Sequence, residues 1–533
     1  MPRTVCGEPS EKKYARPGDL VVMAGGRIGK DGIHGATFSS EELREESPTQ
    51  AVQIGDPITQ KKLTDFLLEA RDLGLYTCIT DNGAGGLSSS VGEMCRYSGG
   101  AEIDLAKAPL KYAGLDPWEI LLSEAQERMT LAVPPDKIDA FLDLARRREV
   151  EATVLGTFTD TGKFHVRYGE RTVAYVDLDF LHEGLPRMRL KAVWEKRRWG
   201  EPALETAPDP QTALADLLAE LNICSIEKKA RQYDHEVKGL SVVKPFVGVR
   251  CDVPSDATVF MVDYESVEGI VLTEGVNPHY SDVDTYHMTA SIIDLAVRRA
   301  VGTGARLDHM AGLDNFCWPD PVQSEKTPDG HYKLAQLVRA NMALYDYTTA
   351  FGVPLISGKD SMKNDSTRGG VKISIPPTLL FSLLAKIDDV RLAVTMDAKL
   401  PGDLVYVVGL TKDELGGSEY ARYLARRAGE PGRIGNAVPT VQAKAALRLL
   451  RAVSRAVGEG LVHSAHAPAK GGLGVGLAKV AFGGELGIEA DLAAVPTEGV
   501  ERDDVLLFSE SNSRYIITVP PDRRSAFEDA LAG

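Results

Sequence analysis

The chain is short of cysteine, of positive charge and of long apolar runs, and each shortage excludes something. Six cysteines in 533 residues (positions 6, 78, 95, 224, 251 and 317) form no CxxC pair. That argues against structural zinc and against a disulfide framework, and points to a reduced, cytoplasmic protein. The formal net charge is −15, so neither nucleic acid nor an acidic membrane surface is expected as a partner. A nucleotide stays compatible, because Mg²⁺ and backbone N–H groups neutralise phosphates locally. No apolar run is long enough to span a bilayer, and no signal peptide is expected. The standard phosphate signatures are missing too. Residues 25–35 hold five glycines in eleven positions, yet they fit neither GxxxxGK[ST] nor G-x-G-x-x-G. His279, His287 and His309 lack metal-ligand spacing and read as satisfied or exposed histidines.

What is present centres on Thr80–Leu87, TDNGAGGL. A short strand, Tyr76–Thr80, leads into a glycine turn, and a helical run follows it. Glycines let the backbone approach a ligand closely, and a helix start offers free N–H groups to an anion. Asp81 stands where it could hold a cation that the anion also binds. An Asp-capped tight turn gives the same pattern. The stretch returns, however. KGGL at 470–473 lies 386 residues after Ala84–Leu87. PGDLV at 17–21 reappears at 401–405, LSEAQER at 122–128 becomes FSESNSR at 508–514, and VPPD occurs at 133–136 and 519–522. Four matches in one order indicate a duplicated domain. The copies differ in chemistry: Asp81 falls on Ala467, Asn82 on Pro468 and Gln126 on Asn512.

In chain order, strand 19–24 precedes the glycine loop. A helix through Leu63, Phe66, Leu67, Ala70 and Leu73 ends at Gly74. Within 118–129, Glu124 and Gln126 alternate and would share one face of a strand. A helix over 137–147 and strands over 151–184 close the first domain. Residues 185–206, basic and then proline-rich, mark a boundary, and 209–236 read as helical. The middle domain has a strand at 259–262, helices over 285–302 and 333–351, and a strand at 353–356. Ser357-Gly358-Lys359-Asp360-Ser361 then looks like the tail of a P-loop, but Val353 and Asp360 occupy positions that need Gly and Ser or Thr. A different phosphate or carboxylate site is expected there, built from Gly358 N–H, Lys359 and Ser361; a hydrogen-bonded loop between strands is the plainer alternative.

These motifs, GGRIGKDGIHGATFSS (25–40), AVQIGDP (51–57), TDNGAGGL (80–87), LLSEAQERM (121–129) and ISGKDSM (356–362), resemble those of phosphoribosylformylglycinamidine synthase, along essentially the whole chain. The resemblance implies an α/β (α+β) fold of duplicated aminoimidazole-ribonucleotide-synthetase-like units in the order C, N, C. The domains would be 1–190 (C-type), 207–392 (N-type, ATP-binding-like) and 398–533 (a degenerate second C-type copy). It implies ATP and Mg²⁺ as cofactors and an amidine-forming ligase of purine biosynthesis acting on formylglycinamide ribonucleotide. Gln53, Glu124, Ala125, Gln126 and Ser361 would contact substrate, Asp314 and Gly358 would contact ATP, and Asp81 would bind Mg²⁺. Asp360 is a substitute metal ligand, because Lys359 stands where a related pattern has a metal-binding Asn. No catalytic residue is assigned.

The family's first N-type unit, with an ESHNHPS-like segment and the catalytic histidine, has no counterpart in this sequence, and neither has the glutaminase. Both are therefore expected as partners, the second supplying ammonia, and catalysis by this chain alone is not expected. The alternatives are a non-catalytic assembly subunit, an inactive fragment, or another member of the aminoimidazole ribonucleotide synthetase and selenophosphate synthetase superfamily.

Overall fold

A computed structural model describes residues 4–5, 8–9, 13–38, 42, 53–202 and 208–532. Motif residues 39–40 and 51–52 and boundary residues 203–207 lie outside these. The chain divides into two compact units: residues 1–189 with 365–373, and residues 190–364 with 374–533.

Unit 1 is built on the apolar run LVVMAG, which forms β1 (Leu20–Gly25). A strand with no polar face must be covered on both sides. Val21 and Met23 point into one core, Val22 and Ala24 into another. The other main elements are α1 (Pro57–Asp72), β2 (Cys78–Asp81), α2 (Gly86–Ser98), β3 (Ala101–Asp104), α3 (Pro117–Leu122), β4 (Arg128–Val133), α4 (Ile138–Arg147), β5 (Ala152–Phe158), β6 (Lys163–Tyr168) and β7 (Arg171–Asp177), with a short helix at Leu178–Glu183 where strand was expected to run on to 184. The sheet order is β2-β4-β1-β5-β3-β6-β7. Helix α1 starts where Asp56 accepts hydrogen bonds from the Ile58 and Thr59 N–H groups, with Pro57 in the first turn. Its buried Phe66 meets Phe141 of α4 edge-on at 5.0 Å, so these two helices share one face of the sheet.

Unit 2 opens with α5 (Pro210–Ala219). An antiparallel-rich sheet follows: β8 (Ser241–Val243), β9 (Thr258–Met261), β10 (Gly269–Gly275), β11 (Met310–Cys317), β12 (Leu355–Ser361) and β13 (Thr378–Ile387), with α6 (Thr285–Thr303) and α7 (Gly330–Phe351) between strands. The spatial order is β8-β9-β10-β13-β11-β12. Only β11 and β12 are parallel, and α7 is their crossover. Helix α6 is buried along most of its length. Gly275 permits this: a Cβ there would lie 2.0 Å from the Ile292 carbonyl oxygen.

The remainder of unit 2 repeats unit 1. Its elements are β14 (Leu404–Val408), α8 (Glu419–Arg427), α9 (Ala443–Gly458), β15 (Ser464–His466), α10 (Gly472–Gly484), α11 (Asp503–Phe508), β16 (Tyr515–Val519) and α12 (Arg524–Ala532). The strand order β15-β16-β14 matches β2-β4-β1. The register matches as well: Cys78 faces Ala132 and Ser464 faces Thr518, each pair 386 residues apart from the other. Helices α1 and α9 start and end at the same offset. No described strand of the second copy corresponds to β3; residues 487–490 are irregular.

Three local expectations are corrected. Residues 357–361 are not a loop but lie in edge strand β12, paired with 313–317. Glu124 and Gln126 do not share a strand face, because 117–122 is helix and β4 begins only at Arg128; Glu127, just before β4, has φ +58°. Residues 209–236 hold two helices, 210–219 and 227–230, rather than one. Among the described residues five cysteines are free, and burial pushes the Cys78 and Cys95 thiols up to about 11 and about 12. No described helix is long and apolar enough to cross a membrane.

Candidate active site

In unit 1 the segment Ser123–Arg128 is folded back on itself by its own side chains. Arg128 is buried, and its guanidinium donates to the Ser123 and Ala125 carbonyls. Burial lowers its pKa to about 10, so it stays protonated at neutral pH. Ser123 Oγ donates to the Gly29 carbonyl at 2.7 Å and accepts from the Ala125 N–H. This clasp turns Glu124 inward, 3 % exposed. Its carboxylate accepts from the Ala36 N–H at 2.9 Å, Gln53 Nε2 at 3.1 Å and the Gly85 N–H at 3.3 Å. Gln126 Nε2 donates to the Glu124 carbonyl at 3.1 Å.

Gln53, Glu124, Ala125 and Gln126 are therefore gathered in one place, and the turn after Asp81 is joined to them through Gly85. Gly86 makes that approach possible: a Cβ there would lie 2.2 Å from the Ser123 carbonyl oxygen. Asp81 is exposed, and one of its oxygens accepts from the Gly83 N–H at 2.9 Å. Beside this cluster is a cavity of about 540 Å³, lined by Gly25, Gly55, Asp56, Lys62, Lys111 and Gln126 among others. The glycine-rich loop forms one wall of the site, and Lys111 is paired with Asp31 of that loop at 2.9 Å.

The other expected residues lie in unit 2. Asp314 of β11 is in register with Gly358 of β12, and Ser361 with Cys317. A Cβ on residue 358 would lie 2.8 Å from Asp314 Oδ1, so glycine leaves room for that carboxylate. Partial burial, assisted by the Asp360 charge, raises the Asp314 pKa. Lys359 Nζ donates to Ser361 Oγ, and Asp360 is exposed.

Unit 2 also holds a cavity of about 570 Å³ that the motifs did not foretell. Asp256 there accepts from His466 Nδ1 and the Ala467 N–H, each at 2.8 Å. Burial alone would raise its pKa, but His466 and Arg299 outweigh burial and hold it at about 2. Glu510, the counterpart of Glu124, accepts from the Gly471 N–H at 2.8 Å, the Glu419 N–H at 3.0 Å and the Tyr280 hydroxyl at 2.5 Å. Glu510 was readable from the 386-residue offset; nothing in the sequence singles out Asp256 or Tyr280.

Among the described residues no group of three or more His, Cys, Asp or Glu forms a metal cluster. Asp81 fits only the sparser pattern in which Mg²⁺ takes one carboxylate together with nucleotide phosphates and water.

A family model for the C-terminal domain of AIR synthase related protein matches residues 16–169 and again 401–533, the two copies described above. The chain is thus built on the AIR-synthase-related fold. Curated relatives narrow the class. The phosphoribosylformylglycinamidine synthase subunit PurL of Methanopyrus kandleri is 34 % identical over 529 residues, 97 % of this chain and 68 % of that protein. PurL of Methanocaldococcus jannaschii is 33 % identical over 518 residues, 96 % and 67 % respectively. The chain belongs to the PurL family of phosphoribosylformylglycinamidine synthase subunits, and it spans about two thirds of the length of the curated relatives it matches. Thermotoga maritima PurL complexed with FGAR shares the fold, with TM-score 0.66 and 23 % identity over 96 % of this chain and 71 % of that one. The T. maritima PurLQS structure does so with TM-score 0.63, 22 % identity, and 96 % and 70 % coverage.

Proposed function

We propose that this chain carries substrate- and nucleotide-binding parts of an ATP-dependent amidine-forming ligase. In that reaction formylglycinamide ribonucleotide becomes formylglycinamidine ribonucleotide, with ammonia supplied by a separate glutaminase. Family membership together with one observation carries the reading: Gln53 and Gln126 are both held on one buried residue, Glu124, through its carboxylate and its main-chain carbonyl respectively, beside a glycine turn that begins at an exposed Asp. The T. maritima relative has been solved with FGAR and with ATP, and its PurLQS assembly supports partner subunits for this chain. We assign 1–190, 207–392 and 398–533 as C-, N- and C-type domains.

In this reading Gln53 and Gln126 bind the ribonucleotide from unit 1. Asp314 and Gly358 bind ATP and Ser361 binds substrate in unit 2. Asp81, with Asp360 as a further candidate, holds Mg²⁺, which when bound neutralises charge on the transferred phosphoryl group. The protein's own contribution is positioning and fixed N–H donors.

The proposed reaction needs a further N-type unit with the catalytic histidine. The test is ADP release from formylglycinamide ribonucleotide, ATP, Mg²⁺ and high ammonium, by this chain alone and with a separately expressed first N-type unit. Turnover only in the pair supports the reading; equal turnover by the chain alone contradicts the need for that further unit. A non-catalytic assembly subunit is the second reading, favoured by Ala467 in place of Asp81 in the second copy. It predicts no turnover in either arm.

A further inference from the structure

We propose that Glu124 is a positioning residue and not a ligand contact: its carboxylate fixes Gln53 and the glycine turn, and Gln53 and Gln126 meet the ligand. The identity of that ligand rests on the function proposed above; the positioning role does not.

A carboxylate offers about four lone-pair directions. Glu124 fills three of them with its own chain, namely the Ala36 N–H, Gln53 Nε2 and the Gly85 N–H, and it is 3 % exposed. A buried carboxylate satisfied in this way gains little from a ligand and loses much if a donor leaves. The three donors belong to three segments separate in sequence: the glycine-rich loop, the stretch before α1, and the turn after Asp81. One side chain therefore sets the mutual spacing of all three walls.

The second copy acts as an internal control. Glu510 is equally buried and takes the equivalent turn donor, the Gly471 N–H, 386 residues on. It also takes the Glu419 N–H, the second copy's equivalent of the Ala36 donor. Only the third donor changes: Gln53 aligns with Pro439, and the buried Tyr280 hydroxyl fills the place. Ser123 and Arg128 likewise have working counterparts in Ser509 and Arg514, which bond the same kinds of carbonyl. Serine, glutamate and arginine thus do the same framing in both copies whatever surrounds them. The residues that differ are those at the open side. Gln53 is exposed and Gln126 lines the unit 1 cavity. Asn512, the counterpart of Gln126, lines the unit 2 cavity but donates its amide N–H across to Ser291 Oγ of α6 at 2.8 Å.

The test combines two measurements on the full chain. Hydrogen–deuterium exchange without ligand reads the framing directly. Glu124→Gln is expected to speed exchange at Ala36 and Gly85 about tenfold, the loss of one charged acceptor. Calorimetric titration with formylglycinamide ribonucleotide then reads the route of the effect. Glu124→Gln is expected to weaken binding about tenfold in the parent chain but less than about twofold in the Gln53→Ala background, because the two act as one unit. If Glu124→Gln fails to fold, Glu124→Asp, which keeps the charge but shortens the reach, serves in both measurements. Unchanged exchange overturns the proposal, and so does a full tenfold loss that persists in the Gln53→Ala background. If the parent chain binds no ribonucleotide, the functional reading fails, while the exchange result still decides the positioning role.

Discussion

In the first copy the Glu124 carboxylate holds an exposed glutamine, Gln53; in the second, Glu510 holds a buried tyrosine, Tyr280, from the turn ahead of α6. The same divergence recurs nearby. Asp81 is an open carboxylate at the mouth of its turn, whereas Ala467 at the equivalent place is buried and gives its N–H to Asp256. Behind these differences the frame is the same: equal strand order, equal register, a buried arginine binding two carbonyls, and a left-handed residue at 127 and 513 (φ +58° and +54°). Duplication thus separates two jobs that one copy alone would confound. Residues that work identically in both copies hold the chain to itself; residues that differ are open to solvent or to a cavity in the first copy and are buried in the second, where Ala467 and Asn512 line the unit 2 cavity.

The largest expected effect breaks the shared frame. Arg128→Ala leaves two buried carbonyls without a charged donor and should destabilise unit 1 by about 3–5 kcal/mol. Arg514→Ala should do the same to unit 2, where that side chain serves Ser509, Ser511 and Thr411. Denaturant titration resolved by exchange in each unit checks this; a loss in one unit only would mean that the frames are not equivalent.

Next comes a contact that only the second copy has. The Asp256 pKa, held at about 2, lies below its ordinary value, so its stabilisation is fully present above about pH 4 and fades as pH falls through about 2. Asp256→Asn should therefore cost unit 2 about 2 kcal/mol at neutral pH. The gap in melting temperature from the parent should close as pH drops from 4 toward 2. A gap independent of pH would assign the effect to packing instead.

The smallest effect concerns the first copy alone. If Asp81 holds Mg²⁺ as proposed, together with phosphates and water, Asp81→Asn should lower Mg²⁺-dependent turnover of the proposed assembled enzyme about fivefold. Activity and Mg²⁺ dependence equal to the parent's would remove Asp81 from the metal site.

Much of this was legible in the sequence, for identifiable reasons. The duplication showed because frame residues recur at a fixed offset: Gly86 and Gly472 permit close approach to a carbonyl, and Arg128 and Arg514 are buried donors, so neither position tolerates drift. Helix α1 was readable from Asp56, Pro57 and the apolar spacing that ends at Gly74. The inward turn of Glu124 was not legible, because alternation in LLSEAQERM imitates a strand while the Arg128 clasp, a tertiary effect, bends the segment. Strand β12 was hidden for the opposite reason: GKDS has loop-like composition, and an edge strand leaves most of its side chains exposed whatever they are. The Asp256–His466 pair joins positions 210 apart in sequence with no pattern at either end.

The most direct measurement grafts the second copy's outward residues onto the first. The chain carrying Gln53→Pro, Asp81→Ala and Gln126→Asn together keeps every frame residue, and its dissociation constant for formylglycinamide ribonucleotide is compared by calorimetry with that of the parent. The account predicts an unchanged fold and binding weakened by about a hundredfold or more, since one amide is removed and the other drawn back by a methylene in one site. Binding within about twofold of the parent, roughly 0.4 kcal/mol, would contradict it.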